Sequence, residues 1–89
     1  MGYCVYVLAC FINKEFRCYY VGQTNDLSSR MAEHYNSIRG HDTNNFVGRF
    51  DYVKLIWYKK VPTRADAIRL ESYLKELTPS GKRDYMRNH

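Results

Sequence analysis

The chain has three cysteines, no long apolar run and a shortage of acidic residues. Cys4, Cys10 and Cys18 are odd in number and show no CxxC spacing, which argues against both a disulfide framework and a structural zinc site. They read as reduced, partly buried thiols. No apolar stretch approaches the roughly 20 residues that a bilayer-spanning helix needs, so a soluble protein with no membrane partner is expected. The opening MGYCVYVLAC lacks a basic start and a small-residue cleavage site and reads as a strand, not a secretory leader. Residue 6 is Tyr where a myristoylation signal wants Ser or Thr. The expected compartment is the cytoplasm. Internal repeats and low-complexity segments are also absent.

Nine Asp and Glu face fourteen Lys and Arg, giving net +5 and a pI near 9.2. The excess gathers around Lys59, Lys60 and Arg64 and again at Lys82, Arg83 and Arg87. A small basic domain favours a polyanionic partner, most commonly nucleic acid, although a solvated basic surface produces the same composition. Tyrosine is the other excess, nine in 89 residues. Most of these are expected to pack on strand faces with a wet hydroxyl. A chain of this length supports one modest core, so residues 1–89 are expected to form a single domain.

Residues 3 to 9, YCVYVLA, are apolar on both parities, the pattern of a central strand covered on both sides. CFINKEFR then reads as a hairpin connection and CYYV, residues 18 to 21, as a second, antiparallel strand. Gly22 and the run Gln23-Thr24-Asn25-Asp26 offer turn formers and N-caps, so a helix should start near Leu27. On it Leu27, Met31, His34 and Ile38 share one stripe, with Arg30 at its border. Arg30 and His34, at i and i+4, therefore project side by side. Residues 39 to 50 read as a loop of about a dozen residues, a length that is often functional. YVKLIWYKKV, residues 52 to 61, is a third strand ended by Pro62. Thr63 caps a helix whose stripe is Ala67, Leu70, Leu74 and Leu77, with Asp66 in the capping-box region and Glu71 on the stripe's edge. Pro79 and Gly81 break that helix before a short basic one from about Lys82 to Met86. The order β-β-α-β-α describes a mixed α+β fold, a three-stranded antiparallel sheet flanked by helices.

With these residues placed, the chain resembles the GIY-YIG nucleases. The first of that family's two strand motifs stands here as Cys4-Val5-Tyr6 and the second as Tyr20-Val21-Gly22, followed by Arg30, His34 and Glu71. The likeness covers nearly the whole chain and is greatest to small stand-alone bacterial and archaeal members. Cys4 replaces the usual Gly, Val replaces Ile at both middle positions, and Gln23 stands where repair-type members carry Lys. Some relatives use an Asn after the metal-binding Glu; only Asn88 follows Glu71 here, and that role is not carried over.

The resemblance implies a metal-dependent endonuclease acting on nucleic acid, DNA ahead of RNA, as a monomer or weak homodimer. The alternative is an inactive nucleic-acid-binding module on the same scaffold. Glu71 would hold Mg²⁺ or Mn²⁺, since one carboxylate suffices for an ion that keeps several waters. Arg30 presents a planar fork matched to phosphate oxygens. Tyr6 and Tyr20 share the roles of general base and water-orienting group, with Tyr6 the leading candidate for base. A phenol of ordinary pKa near 10 needs positive charge nearby to act at neutral pH. His34 could take or relay the tyrosine proton. Gly22 is read as structural, permitting a sharp turn beside the site where a Cβ would clash. Lys59, Lys60, Arg64, Lys82 and Arg83 are candidate phosphate-backbone contacts. Lys75, one turn after Glu71, is read chiefly as its surface ion-pair partner.

Overall fold

A computed structural model describes residues 2–89. Strand β1 (Tyr3–Ile12) is followed by β2 (Glu15–Thr24), helix α1 (Leu27–Arg39), a 3-10 turn (Val47–Arg49), strand β3 (Tyr52–Val61), α2 (Arg64–Glu76) and α3 (Pro79–Asn88). Both pairings are antiparallel, and the sheet order is β2-β1-β3. The central strand is β1, as its two-sided apolar pattern requires.

Parity sorts β1 into two cores. Tyr6, Leu8 and Cys10 pack with Met31 of α1 and with Val47, Phe50 and Val53. Val5 and Val7 point the other way and pack with Val21 of β2 and with Ala67 and Leu74 of α2. Full burial of each such aliphatic side chain contributes about 1.5–3 kcal/mol. The caps are those the sequence implies: the Asp26 carboxylate accepts from Ser29 N–H, and the Thr63 hydroxyl from Asp66 N–H.

Three segments differ from expectation. The hairpin connection is not eight residues but two, Asn13 and Lys14, both at positive φ (52° and 67°), the geometry that matches strand twist in a tight hairpin. Phe11 and Phe16 continue the strands on either side and meet edge-to-face at 6.0 Å. The segment 39–50 is no open loop either. Val47, Gly48 and Phe50 are buried, and a Cβ on Gly48 would overlap the Asp42 carbonyl, so its second half packs under α1. Finally, the last helix is ten residues long. Pro79 opens it instead of only ending the previous one, because proline suits a first-turn position whose N–H has no helical acceptor; Thr78 caps it through Gly81 N–H.

Candidate active site

The site begins at the middle of β1. Tyr6 lies opposite Gly22 of β2 and Tyr58 of β3. Its ring lies over Gly22: a Cβ there would come 2.5 Å from the Tyr6 hydroxyl oxygen and 3.0 Å from Cε1 of Tyr20. Gly22 sits inside β2 with no positive φ. The expected sharp turn is therefore absent, and the glycine supplies space for two tyrosines to meet over the strand.

Helix α1 brings the other partners onto that face. The Tyr6 hydroxyl and His34 Nε2 hydrogen bond at 2.8 Å, and both residues are buried, Tyr6 with no exposed surface. Tyr20 closes the cluster, with ring centroids 6.3 Å from Tyr6 and 5.4 Å from His34. Arg30, one turn before His34, lies near enough for its charge to act on the Tyr6 hydroxyl, and it pairs through Nη1 with Glu33 at 2.8 Å. It is half-buried at the cluster's mouth.

The electrostatics follow from this packing. Burial pushes the Tyr6 hydroxyl up to about 12, with Arg30 opposing the rise and Tyr20 adding to it. Burial, then the Arg30 charge, holds His34 below the ordinary imidazole value. Its contact with Tyr6 raises Arg30 still further. His34 is thus neutral near pH 7, Tyr6 stays protonated, and Arg30 keeps its charge.

Helix α2, which carries Glu71, packs on the other face of the sheet, against Val5, Val7 and Val21. The Glu71 carboxylate on α2 is 19% exposed and 3.5 Å from Lys75 Nζ. Lys75 lines a cleft of about 250 Å³ with Tyr19, Tyr20, Val21, Phe46 and Lys82, so the α2 cation and the site tyrosine border one space. Among the described residues, no three His, Cys, Asp or Glu side chains converge. Glu71 would therefore hold a metal as the lone protein carboxylate, which suits Mg²⁺ and not a tetrahedral N/S site.

A family model described as the GIY-YIG catalytic domain matches residues 2–85. The chain belongs to the GIY-YIG family. The UPF0213 protein lwe0147 of Listeria welshimeri is 36% identical over 81 residues, covering 91% of this chain and 81% of the relative. The UPF0213 protein lin0209 of Listeria innocua matches to the same extent. The UPF0213 protein LMOf2365_0181 of Listeria monocytogenes is also 36% identical, with 91% and 82% covered. No solved structure matches the chain. A GIY-YIG domain implies nuclease activity in general and nucleic acid as its partner class. Among the described residues, no helix is long and apolar enough to cross a membrane.

The basic residues are distributed otherwise than their sequence clustering suggests. Lys59 and Lys60 stand opposite Val5 and Cys4 and so project to opposite faces of the sheet. Only Lys60 shares the Tyr6 face, where it lines a cavity of about 320 Å³ with Tyr58, Asn25 and Leu27. Arg64 is exposed at the start of α2, and Arg83 donates to the Tyr19 hydroxyl at 3.4 Å. Lys82 is not the free surface cation expected: it is 9% exposed and its ammonium donates to the Leu77 carbonyl, closing the end of α2. One residue escaped sequence reasoning altogether. Phe46 stacks on Tyr20 at 5.8 Å and 23°, and the only signal for it was a large apolar residue in an otherwise polar loop.

Proposed function

We propose that the protein is a divalent-metal-dependent endonuclease that hydrolyses phosphodiester bonds, in DNA ahead of RNA. The observation that carries this is the buried hydrogen bond between Tyr6 and neutral His34, flanked by Tyr20 and Arg30. Two phenols and an imidazole gathered under a guanidinium are poor packing material, and phosphate chemistry gives each a task.

The Tyr6 hydroxyl and His34 Nε2 hydrogen bond to each other in the interior, and Tyr20 beside them adds to the raised Tyr6 pKa. Tyr20 is the accessible member of this cluster, bordering the cleft, whereas Tyr6 has no exposed surface and holds its proton. The base role is thus assigned to Tyr20 in preference to Tyr6, with the Arg30 charge beside the same hydroxyl.

In this reading Tyr20 first releases its phenol proton to solvent, with Arg30 stabilising the phenolate; the phenolate takes a proton from the water that attacks phosphorus, the bond from phosphorus to the leaving oxygen breaks, and that oxygen is protonated from solvent. Arg30 stabilises charge on the non-bridging oxygens, an effect worth a factor of about 10²–10³ in rate for comparable donors. Glu71 would hold the ion, whose Lewis acidity supplies the remaining charge neutralisation, and Lys75 would then be released toward phosphate. The test is cutting of labelled DNA by purified protein with Mg²⁺ or Mn²⁺ against EDTA. Glu71→Gln should abolish cutting while DNA binding is retained; a variant that cuts as fast as the parent removes Glu71 from the mechanism. Binding without cutting in the parent under all metal conditions would instead favour the inactive binding module.

A further inference from the structure

We infer that the cleft between Tyr20 and Lys75 receives an unpaired nucleobase, stacked on the exposed ring of Phe46 that lines it, so the preferred substrate is single-stranded beside the cut. The inference rests on the nuclease reading for the identity of the strand and adds to it a residue that selects the strand's form.

Scattered exposed aromatics are normal and carry no information singly. Tyr35, Tyr52, Tyr58 and Tyr73 each keep a hydroxyl to hydrate, and exposed Phe16 packs at 4.8 Å on Tyr19 and edge-on to Phe11. Phe46 has no polar atom, remains 45% exposed, and lies with one face on Tyr20 and an edge contact from Phe50 at 5.3 Å. Its position is held from both sides. Val47 beside it is fully buried and its N–H donates to Asn45 Oδ1 at 3.0 Å; Arg49 Nε donates to the Thr43 carbonyl at 3.2 Å. The fold thus spends a buried anchor to present an apolar ring next to the assigned base.

The space and charge around that ring select the occupant. At about 250 Å³ the cleft is smaller than the roughly 300–1,000 Å³ of sites for drug-sized ligands, which suits one planar base. Lys75 on its rim and exposed Arg49 on the same turn favour an anionic strand. A base held in a duplex has both faces occupied by its neighbours, so only an unpaired one can stack here. Aromatic platforms of this kind are tolerant of base identity, which fits a small domain with little surface for sequence readout.

The experiment measures binding by anisotropy in EDTA, using a labelled single strand of DNA and its duplex with the full chain. Phe46→Ala and Phe46→Leu should each weaken single-strand binding by about five- to 150-fold, the range for loss of one stacked base, and change duplex binding by no more than about twofold. Phe46→Trp should bind like the parent and lose indole fluorescence on adding the single strand, beyond any change from Trp57 in the parent. Leucine preserves the apolar packing on Tyr20 and Phe50, so parental single-strand affinity in Phe46→Leu would overturn the stacking role. Equal losses on single strand and duplex, or indole emission in Phe46→Trp that the single strand leaves unquenched, would also overturn it. Because the readout is binding, failure of the nuclease reading, recognised as binding without metal-dependent cutting, is distinguishable from failure of this one.

Discussion

The two faces of β1 are built from one strand and do opposite things. Toward α2, Val5 and Val7 meet Val21, Ala67 and Leu74, all aliphatic and without a hydrogen bond to satisfy. Toward α1, Tyr6 meets Tyr20, Arg30 and His34, and one buried imidazole nitrogen is left without a partner. The aliphatic face is optimised for burial. The α1 face accepts an unsatisfied polar atom and a tyrosine whose hydroxyl is pushed from 10 up to about 12, costs that a stability-only design would remove. Departures of this kind mark functional sites.

The contrast is breakable. Leu74→Ala should destabilise by about 2–5 kcal/mol in urea unfolding, whereas Arg30→Ala should change stability by less than about 1 kcal/mol while lowering the cutting rate about 10²–10³-fold. Equal effects on stability would erase the division between a packing face and a working face.

Gly22→Ala should cost about 1–3 kcal/mol, the usual range for overpacking, because the new methyl meets the Tyr6 hydroxyl and the Tyr20 ring. It should also slow cutting, since the ring must shift away from His34. A stable, fully active Gly22→Ala would show that Tyr6 does not need its place over the strand.

The smallest expected effect is at acid pH. Folded His34 is held below its unfolded value near 6.5, so the unfolded chain binds more protons there. Stability from this group is present above about pH 6.5 and declines as pH falls through that value toward the folded pKa. Urea midpoints from neutral to mildly acid pH should show the decline, and His34→Phe should flatten it. Arg30, Tyr6, Tyr20 and Glu33 surround the imidazole, and of these Glu33 opposes the shift. An unchanged slope in the variant would place the acid sensitivity elsewhere.

Much of the scaffold was legible because local rules governed it. The two-sided apolar run of residues 3 to 9 identified a central strand, Thr63 and a cap within residues 23 to 26 were readable, and the spacing of Arg30 and His34 placed them on one helix edge. Long-range contacts were not legible. Nothing near Lys82 in sequence announces that its ammonium closes α2 at Leu77, and adjacent Lys59 and Lys60 look like one patch until strand pleating separates them. Gly22 was expected to turn the chain; the ring that needs its missing Cβ belongs to Tyr6, on the neighbouring strand.

Amino-acid order alone therefore determined the elements, their caps and which side chains share a helix edge or strand face, since periodicity and capping act within a few residues. It also carried the motif residues that place the chain in the GIY-YIG family. Only the packed molecule decided that Tyr6 is sealed beneath Arg30 while Tyr20 borders the cleft, and that Phe46 stands over it. Burial and ring contact depend on the approach of segments distant in the chain, and hydroxyls of identical chemistry acquire different work from that approach.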